Sequence, residues 1–204
     1  MTFVLGLTGS IGMGKTATAD IFRRFGVPVY DADAAVHRSY EGEAAPLIEA
    51  AFPGSVAAGV VDRDALSKIV IGSPGRMAAL EAIVHPLVRR QEERFLANAL
   101  AQRAPVAVLD IPLLLETGGD SRCDAVLVVT TEPDVQRQRV LARPGMSEEK
   151  FAAILAKQMP DGEKRARAHF LVDTGRGFAS AERQVGDILR ALANRPGRVL
   201  RSHS

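Results

Sequence analysis

Residues 9–16 read GSIGMGKT, which fits the pattern G-x-x-x-x-G-K-[ST]. Its glycines can adopt positive φ angles and let backbone N–H groups approach phosphate oxygens closely. Lys15 adds a positive charge for the β- and γ-phosphates, and Thr16 adds a hydroxyl that can bind Mg²⁺. The sequence therefore predicts that this segment, the phosphate loop, binds a nucleoside polyphosphate. The loop alone does not distinguish a kinase from a GTPase or an ATPase motor.

A carboxylate stands at the end of the second apolar run, where residues 29–33 read VYDAD. In open α/β sheets ligands bind outside the carboxyl ends of the strands, so Asp33 would face the same crevice as the phosphate loop. There it could accept or orient the proton of an attacking hydroxyl group. Aspartate is also a good N-cap, and the spacing leaves open whether Asp33 is a base or caps a helix that begins near Ala34.

Two arginines form a second candidate group. Arg139 and Arg143 are four residues apart on a predicted helix at 133–143, which ends at the Pro144-Gly145 break. They could bind phosphate oxygens on a mobile lid, or they could belong to a solvated basic face. Asp110, at the end of another apolar run, is a weaker candidate for a carboxylate near Mg²⁺.

The elements that would position these residues follow an alternating pattern. Five apolar runs with little polar alternation predict buried parallel strands: 3–7, 27–30, 106–109, 125–129 and 170–172. Helical patterns lie between or after them, at 16–25, 87–101, 133–143 and 180–193, with Thr131 as the expected N-cap of the third. The long connection from Asp31 to Pro105 exceeds a simple crossover and predicts a helical subdomain that could hold a second substrate.

The composition is that of an ordinary globular protein, with 47% hydrophobic residues, 25% charged residues and a net charge of +2. This balance calls for no nucleic acid, and no apolar run is long enough to predict a membrane span. The single cysteine, Cys123, excludes an intrachain disulfide. The first residues lack the basic region of a signal peptide. We expect a cytoplasmic protein without a membrane or obligate protein partner, and a disordered tail at 194–204.

Several segments, taken in order, resemble the dephospho-CoA kinase family. They are LTGSIGMGKT at 7–16, VYDAD at 29–33, DRDAL at 62–66, LEAIVHP at 80–86, IPLLLE at 111–116, QRQRVLAR at 136–143 and AKQMP at 156–160. The resemblance covers roughly residues 3–175 and is specific, because other P-loop kinases do not carry this series.

The resemblance implies a three-layer α/β P-loop kinase fold with a five-stranded parallel sheet. Residues 1–32 and 105–193 would form the nucleotide-binding core, 33–104 a helical CoA-binding insertion, and about 139–160 a lid. The implied activity is ATP-dependent phosphorylation of the ribose 3′-hydroxyl of dephospho-CoA, with Mg²⁺ as the cofactor and with CoA and ADP as products.

The resemblance also implies roles for individual residues. The implied catalytic residues are Asp33, Lys15, Arg139 and Arg143. ATP would bind to Gly12, Met13, Gly14, Lys15, Thr16 and Ala17, with Thr16 at the metal. The substrate would bind to Asp33, Arg63, His85, Pro112 and Leu113. His169 and Thr174 depart from the family's residues in a segment expected near the adenine.

Three alternatives differ in the use of the nucleotide. A nucleotide kinase would share the phosphate loop and the lid but would phosphorylate a nucleoside monophosphate. A regulatory switch would need a base-specificity motif such as N-K-x-D, which the chain lacks. A structural nucleotide-binding module would bind the nucleotide without turnover.

Overall fold

The computed structural model of the chain describes residues 2–201. The chain forms two compact units, one made of the residues up to Tyr30 with those from Asn98 onward, and the other of Asp31–Ala97. Among the described helices, none has the length and the apolar character needed to cross a membrane.

The secondary structure follows the predicted alternation. The strands are β1 Phe3–Thr8, β2 Val29–Asp31, β3 Val56–Ala57, β4 Val60–Val61, β5 Val106–Asp110, β6 Ala125–Thr130 and β7 Phe170–Asp173. The helices are α1 Lys15–Arg24, α2 Ala32–Tyr40, α3 Ala44–Ala51, α4 Arg63–Val70, α5 Pro74–Ala101, α6 Pro133–Leu141, α7 Glu148–Leu155, α8 Asp161–Arg167 and α9 Phe178–Leu192. Short 3₁₀ helices occupy Gly119–Arg122 and Val199–Arg201.

A five-stranded sheet in the order β2-β5-β1-β6-β7 forms the centre of the larger unit. Strand β1 pairs in parallel with both β5 and β6, and β6 pairs in parallel with β7. Every residue of β1 and β6 is buried, which explains why these runs lack polar alternation. This arrangement confirms the five-stranded parallel sheet predicted from the sequence.

Side chains cover both faces of this sheet, so the larger unit has three layers. On one face α1 and α9 pack against each other and contribute Phe22, Val185 and Leu192 to the main core. On the other face Leu114 and Leu115, from the segment after β5, pack against the alternate residues of β6. The phosphate loop leaves the central strand β1 between these two covered faces.

The smaller unit has its own apolar core, in which Ile48, Phe52, Leu66 and Leu80 are buried. It also contains a hairpin of β3 and β4 that the apolar patterns do not predict, because each strand has only two residues. The hairpin turns through Ala58 and Gly59, both with positive φ, which is the geometry of a type I′ turn.

Helix α5 is longer than its sequence pattern predicts. The pattern indicates a helix over 87–101, but α5 begins at Pro74 and holds Pro86 in its interior. Leu80, Val84 and Leu87 are buried at helical spacing on both sides of the proline. Their packing stabilises a continuous helix through Pro86. Pro86 donates no hydrogen bond to the carbonyl four residues earlier, but this part of α5 is exposed, so water can hydrate that carbonyl.

The start of α6 also differs from the prediction. Its N-cap is Glu132, which makes no side-chain cap hydrogen bond, and Pro133 occupies the first turn. Proline favours that position because its missing N–H is one that the helix would leave unpaired. The buried hydroxyl of Thr131, the expected cap, has no hydrogen-bond partner within the described structure.

Part of the segment predicted to be a disordered tail packs against the larger unit. Asp124 Oδ1 accepts hydrogen bonds from Arg198 N at 2.6 Å and from Val199 N at 3.0 Å, while Oδ2 accepts from Val4 N at 2.8 Å. A carboxylate thus joins the tail to the first strand. Residues 202–204 of the predicted tail lie outside the described residues.

A buried ion pair anchors the segment between α7 and α8. Lys164 is fully buried, and its Nζ lies 2.8 Å from Glu116 Oε1, which also accepts a hydrogen bond from Met159 N at 2.9 Å. Burial raises the pKa of the Glu116 carboxyl, but the Lys164 ammonium and the Met159 N–H lower it further than burial raises it. The pKa of Glu116 is therefore below its ordinary value.

This pair predicts an acid-dependent loss of stability. The folded state favours ionised Glu116, so its contribution is present above the ordinary pKa of 4.5 and is lost as the pH falls through the lower pKa of the folded state. Glu116→Gln leaves Lys164 buried without its counter-charge and should cost about 3 kcal/mol at neutral pH. The difference from the wild type should shrink in acid, as measured by urea unfolding between pH 7 and pH 3.

The exposed Glu163 of α8 supplies the control, because Glu163→Gln should change the free energy of unfolding little at any of these pH values. A Glu116→Gln difference that stays constant down to pH 3 would contradict the assignment of a lowered pKa.

Candidate active site

The phosphate loop joins the end of β1 to the start of α1. Gly12 has φ +78° and Gly14 has φ +92°, in the left-handed region that favours glycine. Gly14 is the N-cap of α1, and because glycine has no side chain, the cap itself cannot bond to the N–H groups of the first helical turn. Such a helix N-terminus, with its partial positive charge, suits a phosphate group.

Lys15 contacts a carboxylate at the edge of this loop. Its Nζ lies 2.6 Å from Oδ1 of Asp110, a residue only 3% exposed at the end of β5. Asp110 is in register with Leu7 of β1, so the strand pairing itself brings the carboxylate beside the loop. The charge of Lys15 is thus matched within the protein by a group that phosphate oxygens could replace.

The oxygen donors at this place fit Mg²⁺. Thr16 is exposed in the first turn of α1, near the Lys15–Asp110 pair, and hydroxyl and carboxylate oxygens are the ligands that Mg²⁺ prefers. Across residues 2–201 no group of three or more His, Cys, Asp or Glu side chains could hold a metal by itself. A metal here would therefore depend on phosphate oxygens for much of its coordination.

A cavity of about 300 Å³ borders the phosphate loop within the larger unit. Its lining combines loop glycines, two arginines and apolar side chains: Gly12, Gly14, Ala17, Thr18, Ile21, Arg139, Arg143, Thr174, Gly177, Phe178 and Ala181. The structure thus brings both candidate arginines to the phosphate loop. Helix α6 ends at Leu141, so Arg143 lies just beyond it, not within the helix as the sequence pattern predicts.

Arg139 makes a two-pronged contact with Thr174. Its Nη1 donates to Thr174 Oγ1 at 2.8 Å, and its Nη2 donates to the Thr174 carbonyl at 2.9 Å. The Thr174 hydroxyl in turn donates to the carbonyl of Met13, again at 2.8 Å. Thr174 therefore connects the arginine to the phosphate loop, a role that the sequence does not reveal.

The other departure from the family pattern, His169, lies at the opposite end of β7 from Thr174. The ring Nδ1 of His169 accepts a hydrogen bond from Val126 N at 3.1 Å. The backbone N–H of His169 donates to the Val126 carbonyl at 2.9 Å. His169 thus extends the pairing of β6 with β7 at the start of these strands. His169 is thus at the opposite end of β7 from Thr174, the residue that bonds to the phosphate loop.

The smaller unit contains a cavity of about 470 Å³ with charged and apolar walls. Its lining residues are Asp33, Val36, His37, Tyr40, Arg63, Leu66, Ser67, Val70, Ile71, Met77 and Leu80. The cavity is thus lined by a carboxylate, an imidazole and a guanidinium together with aliphatic side chains. This lining suits a ligand that has both anionic and apolar parts.

The structure excludes one of the two interpretations of Asp33. Asp31, not Asp33, is the N-cap of α2, and its Oδ1 accepts a hydrogen bond from Ala34 N at 2.9 Å. Asp33 lies in the first turn of α2 and lines the cavity. The interpretation of Asp33 as the cap is therefore wrong.

Arg63 and His37 are polar lining residues that contact each other. Arg63 Nη1 lies 3.2 Å from His37 Nε2, and a guanidinium can only donate, so His37 Nε2 accepts. Asp62 caps α4 through Asp64 N and Ala65 N, which fixes Arg63 as the first residue of that helix. Burial raises the pKa of the Tyr40 phenol, an effect that the charge of Arg63 partly opposes.

His37 and Tyr40 were not predicted as site residues, although the sequence held a signal for them. They follow Asp33 at the i+4 and i+7 positions of α2, so a helix that begins at Ala32 places all three on one face. Recognising this requires Asp31 as the cap, because a helix that begins near Ala34 would leave Asp33 as its cap and not as a member of that face.

The remaining predicted substrate residues lie elsewhere. His85 is exposed on α5 and is outside the described lining of the cavity. Pro112 follows β5 in the larger unit, where its carbonyl accepts a hydrogen bond from Thr8 Oγ1 at 2.9 Å. Leu113 beside it is 40% exposed. Of the predicted substrate residues, the structure brings Asp33 and Arg63 together in one cavity.

Comparison with solved structures gives two informative likenesses. The chain superimposes on the Thermus thermophilus protein TT1252 with a TM-score of 0.81 at 37% identity, over 93% of this chain and 97% of that one. It matches the dephospho-CoA kinase from Campylobacter jejuni with a TM-score of 0.65 at 23% identity, over 94% and 97% of the two chains. At that identity the second likeness shows the fold alone, and the fold is that of P-loop kinases.

Sequence comparison identifies the family. The chain is 59% identical over 195 residues to a dephospho-CoA kinase of Rhodopseudomonas palustris, covering 96% of this chain and 98% of that one. It is 54% identical over 198 residues to one of Brucella melitensis, covering 97% and 99%. The sequence model of the family described as dephospho-CoA kinase matches residues 3–179. The chain therefore belongs to the dephospho-CoA kinase family.

Proposed function

We propose that this chain transfers the γ-phosphate of ATP to the ribose 3′-hydroxyl of dephospho-CoA, giving CoA and ADP in the last step of CoA biosynthesis. Its relatives carry the name of this activity. The observation that carries the proposal is that the chain has both a phosphate loop and, in the smaller unit, a separate cavity whose carboxylate, Asp33, is not the helix cap.

On the donor side, ATP would bind to the phosphate loop through Gly12, Met13, Gly14, Lys15, Thr16 and Ala17. Lys15 would leave Asp110 for the β- and γ-phosphate oxygens, so one counter-ion replaces another and the ammonium stays paired. Thr16 and Asp110 supply the oxygens suited to Mg²⁺, which when bound neutralises charge on the transferred phosphate.

Arg139 and Arg143 are proposed to stabilise the charge of the transferred group. Both line the cavity beside Gly12 and Gly14, within the larger unit. A guanidinium fork matches phosphate oxygens in pairs, as the contact of Arg139 with two oxygens of Thr174 illustrates. The lid assigned to about 139–160 would bring the arginines to the phosphate.

On the acceptor side, Asp33 would take the proton of the 3′-hydroxyl as its oxygen attacks the γ-phosphorus. Arg63 would bind anionic groups of dephospho-CoA, and its contact with His37 holds the guanidinium at the cavity wall. Phosphoryl transfer needs positioning and neutralisation of charge more than covalent catalysis. A carboxylate and a guanidinium are groups that can supply both. Substrate contacts of His85, Pro112 and Leu113 are proposed from the family resemblance alone.

The proposed partners are the small molecules ATP and dephospho-CoA, with no nucleic acid, membrane or obligate protein partner. A cytoplasmic location stays a prediction from the composition.

An acceptor screen tests the reaction directly. ADP release is measured with dephospho-CoA, AMP, CMP and shikimate as separate acceptors, together with ATP and Mg²⁺. We expect stoichiometric ADP and CoA with dephospho-CoA, and background rates with the other three. Turnover of a nucleoside monophosphate in place of dephospho-CoA would favour the nucleotide-kinase alternative.

Asp33→Asn tests the base. Removal of a general base typically costs 10²- to 10⁴-fold, so kcat should fall by about 10³-fold. The KM for ATP should stay nearly constant, because the phosphate loop is intact. Initial rates at varied ATP and dephospho-CoA concentrations separate the two parameters.

Asp64→Asn is the matched control, since Asp64 is an exposed acid in the first turn of α4 in the same unit. It removes the same charge and should leave kcat within about twofold. Equal kcat values for Asp33→Asn and the wild type would show that Asp33 is not the base.

A further inference from the structure

The phosphate loop contains a tight turn at residues 10–13. The N–H of Met13 donates to the Ser10 carbonyl at 3.2 Å, and Gly12, the third residue of the turn, has φ +78°. A positive φ at this position is the mark of a type II turn, whereas a type I turn has negative φ there. The two types differ mainly by a flip of the central peptide group, which here joins Ile11 to Gly12.

Gln136 holds this central peptide. Its Nε2 donates to the Ile11 carbonyl at 2.7 Å, and the glutamine is only 6% exposed. In a planar trans peptide the carbonyl and the N–H point in opposite directions. The bond from Gln136 therefore turns the N–H of Gly12 away from α6.

Gln158, near the end of the predicted lid, holds the preceding peptide. Its Oε1 accepts a hydrogen bond from Ile11 N at 3.1 Å. The carbonyl of the same peptide, that of Ser10, points the opposite way and closes the turn with Met13. The two peptide groups that flank Ile11 are thus each held by a glutamine side chain.

Both glutamines are themselves firmly placed. Helix α6 lies so close to the loop that a Cβ on Gly12 would be 2.5 Å from Val140 Cγ2 and 3.0 Å from the Gln136 carbonyl oxygen. Gln158 directly precedes Met159, whose N–H is bonded to Glu116. The glutamines can therefore impose an orientation on the loop.

We propose that Gln136 and Gln158 are positioning residues that fix the peptide orientation of the phosphate loop, so that its N–H groups and not its carbonyls face the polyphosphate. The inference rests on the proposed binding of ATP to this loop. It assigns to two neutral side chains a share of the affinity for ATP, although neither needs to touch the nucleotide.

The test begins with Gln136→Met and Gln158→Met, which keep the side-chain length and remove the hydrogen bond. A lost hydrogen bond that leaves a buried peptide group unpaired changes an equilibrium by roughly tenfold. We expect the KM for ATP to rise by about this factor and the KM for dephospho-CoA to stay within about twofold. A merely structural role would reduce the active fraction and the melting temperature but would not separate the two KM values.

A second pair of variants uses the direction of each hydrogen bond. Gln136→Glu has no donor and should raise the KM for ATP at least as much as Gln136→Met. Gln158→Glu retains an acceptor, so the Ile11 amide should stay protected from hydrogen exchange, whereas Gln158→Met should lose that protection. The exchange is followed by ¹⁵N NMR without nucleotide. Under these conditions the negative charge of Gln158→Glu cannot affect the result by repelling ATP.

Two controls separate the possible failures. Gln138→Met changes an exposed glutamine of the same helix and should match the wild type. Lys15→Ala tests the nucleotide site itself, and wild-type turnover in that variant would overturn the proposed function. If Lys15→Ala abolishes turnover while both Met variants keep the wild-type KM for ATP, the function stands and the role of the glutamines is refuted. Equal Ile11 exchange in Gln158→Met and Gln158→Glu would refute it as well.

Discussion

A loop that binds phosphate through its backbone N–H groups cannot use those same groups to hold itself together. Buried peptide groups nevertheless need partners, so the support must come from other parts of the chain. Here Gln136 and Gln158 hold the peptides that flank Ile11, and Thr174 holds the Met13 carbonyl. Much of the larger unit can be understood as the framework that delivers these three side chains to the loop.

Two lysines of the larger unit likewise depend on partners from other parts of the chain. Lys15 forms an ion pair with Asp110 at the end of the neighbouring strand. Lys164 forms an ion pair with Glu116, which also bonds to Met159 beside Gln158. A buried charge without a partner would be costly, so each lysine has a fixed carboxylate. The two pairs differ in their surroundings. Lys15 remains 17% exposed and can exchange its partner for a ligand, whereas Lys164 is fully enclosed and serves the fold.

Features encoded within a few residues could be predicted from the sequence. The five apolar runs became the five strands, and the phosphate loop lies where its motif placed it. Contacts between residues distant in sequence could not be predicted. The bonds of Ile11 with Gln136 and Gln158 span 125 and 147 residues, and the bond from Thr174 to Met13 spans 161. No local pattern marks such partners, and the two-residue strands β3 and β4 are likewise too short to show any periodicity.

In the segment VYDAD, the capping role of Asp31 leaves Asp33 free of that role and places it at the cavity. A helix that begins after a strand needs a cap, and two aspartates compete for that position in the sequence. Asp31 takes it, so Asp33 enters the first turn of α2, and His37 and Tyr40 follow it on the same face. If Asp33 were the cap instead, the helix would begin near Ala34 and Asp33 would not be part of its first turn. The place of Asp33 in the wall of the cavity therefore depends on a residue, Asp31, that is outside the described lining of the cavity.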